Sequence, residues 1–181
     1  MADVAASVAL PDVRAMGERD IATLAQAGLS AWQEAIAPFI PPAVVDRVVQ
    51  ENPFLDFLVE AQDQVLVATL DGLAVGFGAT EYGDDYISDL WIDPVHTGQG
   101  CGQALLAALM SRIAGRGFAT ARLEVMTQNR RARRIYERFG FGVARRLRRY
   151  DPLLDLDIDK VAMFCPIRRP RQGAASLAGM R

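Results

Sequence analysis

The sequence predicts an α/β domain with one central sheet of six or seven strands, mixed in direction and bent, flanked by helices. Three observations carry this. The stretch QVLVATLDGLAVGFGATEY alternates apolar and small residues on either side of Asp71-Gly72, a hairpin signal. In the second half, helical apolar spacing alternates with strand-like runs, the order that crossover connections produce. Near the end, residues 141–150 and 160–164 read as a closing antiparallel pair around the loop DPLLDLDI.

Taken in order, residues 8–15 predict a short first strand. Over 18–37, Ile21, Leu24, Ala25, Leu29 and Trp32 recur every three or four positions, which gives a helix one apolar face. Pro38, Pro41 and Pro42 end it, since proline brings no N–H to a helix interior. Pro42 suits the first turn of a second helix over 43–51, where that N–H has no partner in any case. Val65, Leu66, Val67 and Thr69 make one hairpin strand; Leu73, Val75, Phe77 and Ala79 make the other. A strand over 86–92, a helix over 103–113, the strand ATARLEVM and a helix over 130–139 follow. Residues 8–165 thus form one domain, and 166–181 read as a mobile basic tail, with four arginines and few large apolar residues.

A chain of 181 residues supports one full core and no second ordinary domain. It lacks an 18-residue apolar run, and MADVAASVALPD has neither a basic start nor a long apolar stretch. The sequence therefore predicts a cytoplasmic protein without a membrane segment. Cys101 and Cys165 are far apart and His96 is the lone histidine, so neither a disulfide framework nor a metal cage is expected. The net charge of −2 hides an asymmetry: residues 1–97 hold 16 acidic side chains and 3 arginines, whereas 98–181 hold 6 acidic side chains, 16 arginines and Lys160. An anionic ligand suits the basic half and a cationic one the acidic half. Nucleic acid is not expected, because the arginines lack the interleaved aromatics of a base-stacking surface.

The basic half opens on Gly98, Gly100 and Gly102, set at a strand-to-helix turn in ISDLWIDPVHTGQGCGQALLAALM. Glycines let the backbone approach a ligand, and the following helix leaves its first amides unpaired, an arrangement that favours phosphate. No Lys-Ser or Lys-Thr follows, so this is not a P-loop, and G-x-G-x-G late in the chain is not the dinucleotide fingerprint. A purely structural tight turn fits the spacing too. A second motif, NRRARRIYERFGF, follows the strand RLEVM; Ala132 and Tyr136 are four apart and share a helix face, as a narrow ligand groove requires.

With both motifs in place, the chain resembles the GCN5-related N-acetyltransferases, the GNAT family, over residues 10–165 by element order and most strongly over 87–141. The resemblance implies acetyl-CoA, or another acyl-CoA, as the acyl donor. It assigns the pyrophosphate to the amides of Gly98, Gln99, Gly100, Cys101, Gly102, Gln103 and Ala104, with Thr97 standing where glutamine or arginine is usual. It assigns the pantetheine arm to the backbone of Leu90, Trp91 and Ile92 and to Asn129 and Ala132, and it places Tyr136 beside the thioester sulfur. The amide of Leu90 is the implied oxyanion donor. Arg133 is assigned to the cofactor phosphates, with Arg130, Arg131 and Arg134 as alternatives on the same helix. Trp32, Phe39, Tyr86 and Ser88 are assigned to the acceptor side.

The implied reaction is N-acetylation of a primary amine by direct attack, with a small-molecule acceptor favoured over a protein and a homodimer compatible with the sequence. A non-catalytic acyl-CoA-binding protein with the same fold is the alternative. Tyr136 suits a general acid, since a phenol with an ordinary pKa near 10 is protonated at neutral pH. Some relatives carry a glutamate where Tyr86 stands, so the base is open; Glu81, Asp84, Asp85 and Asp89 lie on or near the same strand.

Overall fold

The structure, a computed structural model, describes residues 10–81 and 85–167. Its strands are β1 (Asp12–Ala15), β2 (Val65–Leu70), β3 (Leu73–Glu81), β4 (Tyr86–Ile92), β5 (Thr120–Met126), β6 (Gly142–Asp151) and β7 (Leu156–Pro166). Its α-helices are α1 (Ile21–Ala35), α2 (Pro42–Glu51), α3 (Phe54–Glu60), α4 (Cys101–Gly115) and α5 (Arg130–Arg138). The strands make one seven-stranded sheet in the order β1-β2-β3-β4-β5-β7-β6. Among the described residues only β4 and β5 run parallel, because the crossover helix α4 joins them; the other neighbours are antiparallel. The mixed α/β fold predicted from the sequence is the one observed.

The feature that matters for function is where the sheet opens. β4 and β5 share only two register pairs, Tyr86↔Arg122 and Ile87↔Leu123, and then part. A bulge sits at that point: Asp89 lies opposite Ala79 and Ile87 opposite Thr80, so Ser88 is the extra residue on β4. Such an insertion bends a strand and sharpens its twist. Past the bulge, the edge of β4 that would face β5 has no strand partner among the described residues.

Helices cover both faces. Val65, Val67, Phe77 and Ala79 point to α1, α2 and α3, against Leu24, Trp32, Val48, Phe54 and Leu58. Leu106, Leu109 and Ile113 of α4 pack on the other face with Ile87, Leu123 and Met163, and Tyr136 of α5 joins them. Phe77 is fully buried, and its ring meets Phe54 edge-on at 6.1 Å. Phe77→Ala should therefore cost ~3–5 kcal/mol, read as a lower urea midpoint with an unchanged slope. At the chain start, Arg14 forks onto Asp20 at 2.6 and 2.8 Å, tying β1 to the turn before α1. The guanidinium holds the Asp20 carboxyl below its ordinary value.

Three local expectations change. Helix α3 was not anticipated: it has seven residues, and an apolar run as short as FLDFLVE does not distinguish helix from strand. Phe54 and Leu58, four apart, bury its inner face. The loop expected over 151–158 is a tight turn, because β7 already begins at Leu156, with Asp155 in the left-handed region at φ 55°. Helix α4 begins at Cys101, two residues before the predicted 103. Pro166 closes β7, and the rest of the predicted tail, from 168, lies outside the described residues. Among the described residues no helix is long and apolar enough to cross a membrane, and both cysteines are buried and free.

Candidate active site

The opening between β4 and β5 leads into a cleft of about 420 Å³. Leu90, Trp91 and Ile92 line one side, and the turn before α4 contributes Thr97, Gly98, Gly100, Cys101, Gly102 and Gln103. Asn129, Ala132 and Tyr136 of the α5 segment line the other side. Residues 90 and 136, distant in sequence, thus face one space.

The glycine turn has a geometry suited to an anion. Gly98 and Gly100 have φ of 84° and 85°, a region closed to most side chains, and Gly100 is the N-cap of the 15-residue helix α4. The amide of Ala104 already donates to the carbonyl of Gly100 at 3.0 Å. The amides of Cys101, Gly102 and Gln103 precede that first helical bond and have no intrahelical acceptor. They converge with the positive end of the helix dipole, which fits a pyrophosphate. Ala104 and the exposed Gln99 do not line the cleft. Thr97 turns its hydroxyl to the carbonyl of Pro94 at 2.8 Å, so it closes the turn. Burial pushes the Cys101 thiol up, consistent with packing against Leu70 and Leu105 and not with nucleophilic chemistry.

The free edge of β4 supplies further donors. The amide of Asp93 donates to Val75 on β3 at 2.9 Å. Because amides alternate along a strand, those of Ile92 and Leu90 point the other way, into the gap. Across it, Asn129 caps α5 by accepting from the Ala132 amide at 3.1 Å, which leaves its side-chain NH₂ to donate into the cleft.

The arginines of α5 divide by their angular position. Arg131, Arg134 and Arg138 line the cleft; Arg133 does not. Arg131 is bound to Glu34 of α1 at 2.8 Å, and Arg133 leans toward Glu137 at 3.5 Å. Among the described residues Arg134 and Arg138 have no ion-pair partner, so they are the guanidinium groups facing the cleft without a counter-charge. Arg138 escaped the sequence reading, although positions 131, 134 and 138 have the spacing of one helix face. Glu34, Ala31 and Ala35 of α1, also on the cleft wall, carried no sequence signal beyond helix periodicity.

Tyr136 is buried, its ring 5.9 Å from that of Phe141. Burial, and then the electrostatic influence of Asp89 and Tyr86, push its phenol above the ordinary tyrosine value. It therefore stays protonated through neutral and mildly alkaline pH. Burial likewise pushes the Asp89 carboxyl up, against the hydrogen bond from Trp91 and a weaker interaction with Ser88. Of the residues assigned to the acceptor side, Trp32 is a core residue at 3% exposure, whereas Phe39 is half exposed. Tyr86 lines a second cavity, at the other end of β4 from the glycine turn, and Ser88 is the bulge residue. Asp84 lies outside the described residues. Among the described residues no group of three or more His, Cys, Asp or Glu could hold a metal ion.

A split sheet with free helix amides on one side of the gap and a buried phenol on the other is an arrangement suited to an acyl-CoA-dependent transferase. Comparison with known proteins agrees. The family model described as "Acetyltransferase (GNAT) family" matches residues 29–141, and the chain belongs to this acetyl-CoA-dependent family of N-acetyltransferases. An uncharacterized N-acetyltransferase of Mycobacterium tuberculosis (strain H37Rv) is 30% identical over 116 residues, covering 62% of this chain and 74% of that protein. The [ribosomal protein bS18]-alanine N-acetyltransferase of Escherichia coli K12 is 36% identical over 101 residues, 55% of this chain and 68% of that protein. Among solved structures, the PaiA N-acetyltransferase of Thermoplasma acidophilum in complex with coenzyme A shares the fold. Its TM-score is 0.68 at 20% identity, over 86% of this chain and 98% of that one.

Proposed function

We propose that the protein transfers the acetyl group of acetyl-CoA to a primary amine by direct attack within a ternary complex. The observation that carries this reading is the meeting of the glycine turn, the open edge of β4 and Tyr136 around one cleft. The amides of Cys101, Gly102 and Gln103 hold the pyrophosphate, and Arg134 and Arg138 supply the charge that backbone donors lack. The outward amides of Leu90 and Ile92 and the NH₂ of Asn129 hold the pantetheine arm.

Acetyl-CoA, when bound, supplies a thioester whose acyl carbon is the electrophile. The Leu90 amide, preorganised on the edge of the split sheet, stabilises the oxyanion. Tyr136 gives its phenolic proton to the departing sulfur. Its raised pKa keeps the proton in place until a thiolate develops. No covalent enzyme intermediate is required, in keeping with a buried, unactivated Cys101.

The acceptor is an amine small enough to reach the gap from the α1 side. The identity with a ribosomal-protein alanine acetyltransferase favours a second reading, in which the acceptor is the N-terminal amine of a protein. A panel of small amines, polyamines and N-terminal peptides, scored by thiol release with products identified by mass, separates the two. Acetyl-CoA alone at about 100 times its Kd should stabilise the protein by ~2.7 kcal/mol, visible as a rise in Tm. Absence of any shift or heat with acyl-CoA at millimolar concentration would overturn the donor assignment.

A further inference from the structure

We propose that Asp89 is the base that takes the proton from the attacking amine, with Trp91 holding its carboxylate in place. This rests on the transferase reading and names a residue which that reading leaves out. The register puts Tyr86, Asp89 and Trp91 on one face of β4, because they lie opposite Glu81, Ala79 and Phe77, every second residue of β3. That is the face toward α1 and α3, where Phe77 and Ala79 are buried. Along it, Trp91 lines the cleft of the acyl donor, and Tyr86 lines the second cavity, of about 460 Å³. Along the strand Asp89 falls between Tyr86 and Trp91 and lines neither cavity itself; it is next in sequence to Leu90, the proposed oxyanion donor. In this proposal an amine enters from the second cavity and reaches the acyl carbon, held at the Leu90 amide, next to the strand position of Asp89.

The partners of the neighbouring carboxylates single it out. Glu34 on α1 is bound to Arg131 at 2.8 Å, Asp85 before β4 to Arg122 at 2.6 Å, and Glu124 on β5 to Arg149 at 3.2 Å. A carboxylate held by a guanidinium is a poor base. Asp89 accepts from the Trp91 indole at 2.8 Å through Oδ1. Among the described residues its other oxygen has no hydrogen-bond partner, and no cation pairs with it. Ser88 Oγ, buried beside it without a partner at hydrogen-bonding geometry, interacts with it more weakly. The titratable group that interacts with it is Tyr136 from α5. Its raised pKa brings it toward the pH at which a base is effective.

The protons balance. The amine nitrogen bonds to the acyl carbon as the carbon–sulfur bond breaks; the N–H proton goes to Asp89 and the Tyr136 proton to sulfur. Water then carries the proton from Asp89 back to Tyr136, leaving amide and thiol.

Asp89→Asn keeps the size and the acceptor for Trp91 and removes the base. It should lower kcat ~10²-fold or more, flatten the rise of kcat with pH on the acid side, and leave the calorimetric Kd for acetyl-CoA unchanged. Trp91→Phe keeps the ring but removes a donor that favours the ionised form, so the acid limb should move to higher pH. Two readouts need no turnover. Carboxyl NMR should find Asp89 titrating above the ordinary value in the free protein, and higher still in Trp91→Phe. Because the folded pKa is raised, wild-type stability falls as pH rises from about 3.8 through that value, so Asp89→Asn should gain Tm relative to wild type over the same window. An unchanged kcat and acid limb in Asp89→Asn would overturn the proposal, as would an acid limb that stays put in Trp91→Phe. If the wild type transferred no acyl group to any amine, the transferase reading would fall instead, while the titration and stability results would stand.

Discussion

Replacing Tyr136 by phenylalanine should lower turnover by roughly 10²-fold, with little change in the affinity for acetyl-CoA. The ring that packs on Phe141 and lines the cleft is preserved, and only the hydroxyl is lost. Tyr136 is 8% exposed, and its hydroxyl makes no hydrogen bond among the described residues, so stability should change by less than about 1 kcal/mol. The kinetic loss is then attributable to proton delivery. A 10²-fold fall corresponds to ~2.7 kcal/mol of transition-state stabilisation, the low end of what a positioned acid contributes. The phenol also makes a pH prediction. Because burial and the charge on Asp89 push it up, the alkaline limb of kcat should not be set by Tyr136 below the ordinary tyrosine value of about 10. Single-turnover rates with and without the hydroxyl, across pH, check both points. An unchanged chemical step in Tyr136→Phe would remove it from catalysis and leave it a packing residue.

The second large effect is expected at Gly100. Its φ of 85° lies in the left-handed region, and as the N-cap of α4 it sets the direction of the first free amides. Valine there, β-branched, meets the steric cost of that conformation, ~1–2 kcal/mol from the backbone alone. An added Cβ would meet only Pro11, at an ordinary 3.6 Å, so the conflict is with the backbone angle and not with a neighbour. If the peptide escapes by changing φ, the amides of Cys101, Gly102 and Gln103 no longer converge. Gly100→Val should therefore weaken acetyl-CoA by ~10²-fold or more, since several charge-assisted bonds are lost together. Gly115→Ala is the matched control: it lies at the far end of the same helix, and an added methyl would meet nothing within 4 Å. It should leave binding unchanged and raise stability by up to about 1 kcal/mol. Calorimetric titration of the two variants side by side tests the cradle.

What could be read in the sequence was local. The hairpin at Asp71-Gly72, the glycine turn and the shared face of Ala132 and Tyr136 each depend on residues within about ten positions, where spacing and backbone permissiveness decide the outcome. They sufficed to point to the family, because a phosphate cradle needs glycines and a helix start and little else. Helix α3 fell below that threshold, being too short for its period to show.

Tertiary packing decided the rest. Trp32 and Phe39 sit in neighbouring turns with similar apolar character, yet one is sealed in the core and the other half exposed; the difference arises from how α1 packs on β3 and β4. Among four nearly consecutive arginines, the direction in which α5 is presented to the cleft turned Arg134 inward and left Arg133 beside Glu137. Ion pairing between residues far apart in sequence withdrew Glu34 and Glu124 from chemistry and left Asp89, one of several equivalent acids along the chain, beside a single neutral indole donor. The parting of β4 from β5 turned these separate local motifs into one site. Spacing along the chain determines which residues share an element; only the contacts among elements determine which charges are neutralised and which side chains water can reach.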